Sequence, residues 1–186
     1  MSAIAQIDTR TQGFSASLSP DELKSLFRGH PGGVAVITAD AGDGPVALTA
    51  TSVASVSADP PLLIFSISAL SSASDVLARA ETVVVHLLDA HDLDVAKLGA
   101  SSGVDRFAET HRWSRLITGE PVYHDVRAWV RCAVVNRMDT GTATVFAAHA
   151  LQSHIERDVD PGVSGDALVY HNRTWHRLGE HSRIEH

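Results

Sequence analysis

The sequence contains a single cysteine, Cys132, among its 186 residues. One thiol cannot form an internal disulfide, which suits a reducing compartment. Residues 1–12 lack the basic start and the hydrophobic block of a signal peptide. The longest apolar runs, residues 60–67 and 82–88, are far shorter than the roughly 18 residues that a membrane span needs. We therefore expect a cytoplasmic protein that does not associate with membranes.

Basic residues are also few, since 15 Lys and Arg stand against 22 Asp and Glu for a formal net charge of −7. Their scattered positions argue against a nucleic-acid binder, which needs clustered positive charge. Histidine is frequent, with 11 copies. The pairs His149/His154 and His176/His181 are each five residues apart, so neither pair shares one face of a helix or strand. We expect surface histidines and no metal site.

The sequence lacks the common motifs of nucleotide and hydrolase sites. It has no GxGxxG, no phosphate loop ending in Gly-Lys-Ser/Thr, and no Gly-x-Ser-x-Gly. A nucleotide in this protein must therefore be bound by a different arrangement, and a serine hydrolase has no support.

What is present indicates one globular domain, residues 19–186, after a polar N-terminal arm, residues 1–18. Ser19-Pro20-Asp21-Glu22 predicts a helix start with a capping box, and the helix should end before the Gly- and Pro-rich segment 29–33. Further short helices are predicted at 71–80 and 89–100, and an irregular stretch at 101–124. Strands are predicted at residues 34–38, 46–51, 62–68 and 82–88. Two hairpins are predicted after them, one formed by 126–138 and 142–152 and the other by 167–170 and 175–178.

These elements are mainly strands with three short helices, and strands mostly adjoin strands. This order favours a mainly β protein with an antiparallel barrel over a doubly wound sheet.

Two hydroxyl-rich segments are candidates for a ligand site. The first is Thr49-Ala50-Thr51-Ser52, followed by Ser55 and Ser57, and the second comprises Ser66, Ser68, Ser71, Ser72 and Ser74. If Ser71 or Ser72 caps the helix that follows, the free N–H groups of that helix form an anion site suited to a phosphate. The same residues could instead be ordinary caps and turns, and composition leaves both interpretations open.

The order of several segments resembles the flavin reductase-like family, whose members share an FMN-binding split barrel. The segments are Gly33–Thr38, Thr49–Leu62, Ser66–Ser68, Val83–Leu88, Asp105–Phe107, Gly119–Val122 and Ala167–Tyr170, within residues 20–178. The resemblance implies an antiparallel FMN-binding split β-barrel that transfers a hydride from NADH or NADPH to FMN, or to FAD. It also implies a homodimer and a flavin-dependent monooxygenase that receives the reduced flavin.

The resemblance also implies roles for individual residues. Thr49, Ala50, Thr51 and Ser52 would lie along the flavin ring, with Ser55 nearby. Ser66, Ile67 and Ser68 would flank the ring and the ribityl chain, and Ser71, Ser72 and Ser74 would meet the phosphate. Arg106 is either a second phosphate contact or an ordinary surface arginine. No catalytic acid or base is expected, because the flavin itself carries the redox step.

Two positions depart from the common pattern of the family. Gly141-Thr142-Ala143 stands where many members have Gly-Asp-His, so the histidine near the nicotinamide is missing. This leaves open an alternative, a non-catalytic split barrel that binds flavin or haem. His86 stands where asparagine is common, and its apolar strand favours a hydrogen-bonded core histidine.

Overall fold

The computed structural model describes residues 17–159 and 165–184, so the predicted arm, residues 1–18, lies almost entirely outside the described residues. The first helix, α1 (Pro20–Arg28), has the predicted capping box. The Ser19 hydroxyl accepts the N–H of Glu22 at 3.2 Å, and the Glu22 carboxylate accepts the N–H of Ser19 at 2.8 Å. The helix ends at Gly29.

The described residues form two more α-helices and twelve strands. The helices are α2 (Ser74–Arg79) and α3 (Leu93–Ala100). The strands are β1 (Gly32–Gly33), β2 (Ala35–Asp40), β3 (Pro45–Ala50), β4 (Ala54–Ala58), β5 (Pro61–Ser68), β6 (Thr82–Leu87), β7 (Trp113–Arg115), β8 (Pro121–Tyr123), β9 (Ala128–Asp139), β10 (Ala143–Ile155), β11 (Leu168–His171) and β12 (Thr174–Arg177). Within these ranges, no helix has the length and apolar character to cross a membrane.

Seven antiparallel strands form the main sheet, in the order β3–β2–β6–β9–β10–β5–β4. The two edge strands, β3 and β4, are consecutive in the chain, so the short connection 51–53 draws the two edges of the sheet together. The Ser52 hydroxyl bridges this gap, because it donates to the carbonyl of Ser66 on β5 at 3.1 Å and accepts its N–H at 3.0 Å. The sheet therefore curls into an open barrel, which confirms the predicted antiparallel split-barrel fold.

Apolar clusters on both faces of the sheet bury its central strands. On one face, Phe65 of β5 stacks on Phe146 of β10 with ring centroids 4.9 Å apart. On the other face, α3 packs near Phe107 and Tyr123, whose rings are stacked at 5.5 Å. Residues of β2 contribute to both clusters, and four consecutive residues of β6, Val83–His86, are buried. Burial on both faces explains why these strands are almost continuously apolar rather than alternating.

Several short elements differ from the prediction. The stretch 101–124 was expected to be irregular, yet it contains the antiparallel pair β7–β8. Strand β4 was not predicted because it is a largely exposed, serine-rich edge strand without apolar alternation. Strand β1 was not predicted because it consists of two glycines that pair with β11 from the far end of the chain.

The second helix is also shorter than predicted. It begins at Ser74 rather than Ser71, its N-cap is Ala73, and no side chain caps it. The expectation that Ser71 or Ser72 caps this helix is therefore wrong. The Ser71 hydroxyl instead accepts the N–H of Ala73 at 3.3 Å, a local turn bond that competes with helix formation.

Candidate functional site

A groove of about 780 Å³ lies on the surface where the split barrel is open. It lies between α1, β1, the connection 51–53 and the turn that joins β11 to β12. Three of the residues predicted to contact a ring, Thr51, Ser52 and Ser66, line this groove together. The structure thus brings together residues that are up to 15 positions apart in the sequence.

Strand β1 packs closely on the predicted ring-binding segment. A Cβ atom added to Gly32 would lie 2.9 Å from both the Cβ and the carbonyl oxygen of Thr51. A Cβ atom added to Gly33 would meet nothing within 4 Å. Gly32 therefore lets the backbone of β1 approach Thr51, and Gly33 leaves a bare stretch of backbone beside the groove.

Other predicted residues do not offer their side chains to the groove. The Thr49 hydroxyl donates to the Ala96 carbonyl of α3 at 2.6 Å, which fixes the helix to the sheet. Ala50 and Ile67 are buried in the core. Ser55 lies exposed on β4 and is not part of the groove lining. Thr49, Ala50 and Ile67 can therefore serve a ligand only through their backbone groups.

The remaining predicted serines lie in one tight turn, residues 68–74, which we call the serine turn. The Ser68 hydroxyl accepts the N–H of Leu70 at 3.2 Å, and the Ser74 hydroxyl donates to the carbonyl of Ala69 at 3.3 Å. These hydroxyls hold the shape of the turn. The Ser72 hydroxyl differs, because its neighbour is the guanidinium of Arg106, with an N–O distance of 3.4 Å.

Arg106 is half-buried and its charge is incompletely compensated. Its Nη2 donates to the carbonyl of Ser101 at 2.6 Å, and its buried Nε has no hydrogen-bond partner. Among residues 17–159 and 165–184, no carboxylate forms an ion pair with it. A guanidinium left in this state favours an anionic ligand, because a partly buried charge is costly without a counter-charge. A phosphate at the serine turn fits this arrangement.

The groove and the serine turn are continuous along β5. Ser66 lines the groove, and Ser68, two residues further along the same strand, begins the turn. Two residues of extended strand span about 7 Å. A ligand with a planar ring in the groove and a phosphate a short chain away could therefore contact both regions.

Sequence reasoning missed a second set of groove residues. In the sequence, the end of α1 and the segment 30–33 indicate a helix stop, and Asn172 and Arg173 indicate a turn, yet residues of both segments line the groove. Both contain the Gly, Pro and Asn residues that mark turns, and nothing local shows that the two segments meet. In the structure they do meet, since the N–H of Asn172 donates to the carbonyl of Arg28 at 3.0 Å.

His86 is a hydrogen-bonded core residue, as its apolar strand predicts. Its Nε2 accepts the N–H of Tyr123 at 3.0 Å, so Nδ1 carries the proton and donates to the carbonyl of Val36, also at 3.0 Å. Burial lowers the pKa of His86 to about 4, and the ring is therefore neutral at physiological pH. With both nitrogens occupied, His86 cannot transfer a proton.

The late hairpin turn has no imidazole, but it lies beside the serine turn. The Thr142 carbonyl accepts the N–H of Ala69 at 3.0 Å, and Ala143 pairs with Ser68. The groove does contain one imidazole, that of His30 after α1. Within the described ranges, no three His, Cys, Asp or Glu side chains converge as a metal site would require.

Comparisons with known proteins agree with this geometry. Residues 27–179 match the model of the family described as flavin reductase like domain. The NADH:FMN oxidoreductase of Rhodococcus erythropolis is 37% identical over 167 residues, which cover 90% of this chain and 86% of that protein. The FMN reductase (NADH) RutF of Stutzerimonas stutzeri is 29% identical over 177 residues, which cover 94% and 97%.

Solved structures show the same architecture. A flavin reductase domain protein from Arthrobacter sp. FB24 superposes with a TM-score of 0.77 at 29% identity, over 84% of this chain and 94% of that chain. BorF, the flavin reductase component of a bacterial two-component tryptophan halogenase, superposes with a TM-score of 0.74 at 29% identity, over 87% and 99%.

Proposed function

The chain belongs to the flavin reductase-like family, and from this premise we propose that it transfers a hydride from NADH to FMN. The observation that carries the proposal is the incompletely compensated guanidinium of Arg106 at the serine turn, continuous with an open groove lined by Thr51, Ser52 and Ser66. The relatives named as NADH:FMN oxidoreductase and FMN reductase (NADH) support NADH as donor and FMN as acceptor.

The residues of the chain bind and orient, while the bound flavin supplies the hydride acceptor. We place the flavin ring against Thr51 and Ser52 and the backbone of β1, with Ser66 and Ser68 beside the ribityl chain. The phosphate would then lie at the serine turn, where Ser71, Ser72 and Ser74 and the guanidinium of Arg106 would hold it. Thr49, Ala50 and Ile67 contribute through their backbones, and Ser55 lies outside this arrangement.

The proposal is tested with the purified protein and excess FMN. We expect NADH to be oxidised at a rate that depends on both the protein and the added FMN, with flavin-free and protein-free mixtures as controls. If stoichiometric FMN binds but neither NADH nor NADPH is oxidised, the alternative of a non-catalytic flavin-binding barrel holds instead. A Soret band in the spectrum of the isolated protein would identify a haem protein and overturn the flavin proposal.

We also propose that the reduced flavin leaves for a separate oxygenase. The groove is open to solvent, so a flavin bound there can exchange. BorF, a relative by structure, is the reductase component of a two-component system. The physiological oxygenase would then be a protein that accepts diffusing reduced FMN.

A homodimer is the third part of the proposal, and α1 supports it. None of the residues of this nine-residue helix is buried, and its Leu23 and Leu26, which do not line the groove, are 48% and 66% exposed. Isolated helices shorter than roughly 12 residues are marginal in water, so tertiary contacts normally stabilise them. We propose that a second copy of the chain covers the apolar side of α1.

Changing Leu26 to glutamate tests this interface. The wild type should have twice the chain mass of 19.8 kDa by light scattering, and Leu26→Glu should have the mass of one chain, because a carboxylate cannot be buried unpaired. Ile117→Glu, at a fully exposed position, is the matched control and should remain a dimer. A monomeric wild type would overturn the proposal.

A further inference from the structure

One side of the groove is strongly basic in a protein that is acidic overall. Lys24, Arg28, His30 and Arg173 all line it, and no aspartate or glutamate of the described residues does. The chain as a whole carries a formal net charge of −7. The cationic side chains of Lys24, Arg28 and Arg173 in one concave surface thus produce a local positive potential that attracts anions.

Two of these basic side chains, both arginines, lack counter-charges. Lys24 lies 3.5 Å from a carboxylate oxygen of Asp21. Arg28 and Arg173, in contrast, form no ion pair or side-chain hydrogen bond with any residue in 17–159 or 165–184. The hydrogen bond from the N–H of Asn172 to the carbonyl of Arg28 fixes the hairpin turn to the end of α1, so both arginines border the same end of the groove.

The backbone of Arg173 gives a second, independent observation. Asn172 and Arg173 form the two-residue turn between β11 and β12, and both have positive φ angles, 47° and 62°. Such turns favour Asn-Gly, because a side chain is strained in the left-handed region. An arginine here costs backbone energy that glycine would not, and strain of this kind concentrates at binding sites.

From these observations we infer that Arg28 and Arg173 hold the diphosphate of the nicotinamide dinucleotide while its nicotinamide lies over the flavin ring. The inference rests on the proposed function and adds the residues that recognise the donor. The flavin phosphate already has a cationic partner, Arg106, at the serine turn. Arg28 and Arg173 line the groove, whereas Arg106 does not, so this separate pair of unpaired arginines serves a different anion. FAD carries the same adenosine diphosphate chemistry, so the experiment must distinguish the two sources.

The experiment uses Arg173→Gly and Arg28→Gln, with Arg177→Gln as the matched control. Arg177 lies on the same hairpin outside the groove, and its loss also removes one positive charge. We expect both groove variants to raise the KM for NADH by roughly tenfold or more with FMN as acceptor, because a charged hydrogen bond is lost. Binding of ADP-ribose, measured by calorimetry, should weaken by a similar factor. Arg173→Gly should also raise Tm or leave it unchanged, since it relieves the strained backbone.

The other outcomes are also informative. If NADH oxidation persists and neither variant changes the KM for NADH or the affinity for ADP-ribose, the inference is wrong and the proposed function stands. If the variants raise the KM for FAD but not for NADH, the arginines serve FAD and the inference is overturned. If the wild type oxidises no NADH yet binds ADP-ribose in an Arg28-dependent way, the diphosphate site is supported and the proposed function fails.

Discussion

Replacement of Arg106 by glutamine is expected to weaken FMN binding by roughly ten- to a hundredfold and to leave riboflavin binding unchanged. A hydrogen bond to a charged group contributes about 1.5–3 kcal/mol, and riboflavin has no phosphate with which to form one. Arg106 is suited to this contact because no carboxylate of the described residues compensates it and Ser72 holds it only at 3.4 Å. Quenching of flavin fluorescence on binding measures both affinities.

Two further variants separate a phosphate contact from a structural role. Arg106→Lys keeps a positive charge and should recover part of the FMN affinity. Arg79→Gln removes a positive charge from α2, where Arg79 pairs with Asp43, and should change neither affinity. If Arg106→Gln weakens riboflavin as strongly as FMN, the guanidinium stabilises the fold through the carbonyl of Ser101 rather than binding the phosphate.

The features that the sequence predicted correctly depend on local contacts or on long apolar runs. The capping box of Ser19 and Glu22 joins residues three positions apart, so its pattern is complete within one turn. Strands β2 and β6 are buried on both faces, and their continuous apolar runs are visible without tertiary information. The order of strands and helices already predicted an antiparallel barrel, and the family resemblance specified it as an FMN-binding split barrel.

The parts of the site that sequence reasoning missed depend on long-range contacts. Gly32 approaches Thr51, and Arg28 is fixed to the turn at Asn172, only because β1 pairs with β11 more than 130 residues later. Two hydroxyls of the predicted site have partners within the protein. The Thr49 hydroxyl, typical of a ligand contact, instead fixes α3, and Ser71 forms a turn rather than a cap. A hydroxyl-rich segment thus shows where polar contacts occur, but not with which partner.

Replacement of Gly32 by alanine is expected to destabilise the fold, because Gly32 lies against Thr51. The adjacent Gly33 provides a matched control. A methyl group at Gly32 would lie 2.9 Å from both the Cβ and the carbonyl oxygen of Thr51, so the backbone of the ring-binding segment must move. We expect Gly32→Ala to lower the free energy of unfolding by about 1–3 kcal/mol, the usual cost of overpacking. Gly33→Ala places its methyl in open space and should leave the stability unchanged or slightly increased. Denaturant titration of the two variants measures this difference.

The affinities for FMN and riboflavin distinguish Gly32→Ala from Arg106→Gln. Displacement of Thr51 and Ser52 would disturb the contacts to the flavin ring. Because FMN and riboflavin have the same ring, Gly32→Ala should weaken the binding of both ligands by a similar factor, roughly tenfold. Arg106→Gln should weaken FMN alone, because it acts only at the phosphate. If Gly32→Ala weakened FMN alone, the ring would not lie against Thr51, and unchanged affinity for both ligands would place the flavin outside the groove. Together the two variants assign the ring to one end of the continuous site and the phosphate to the other.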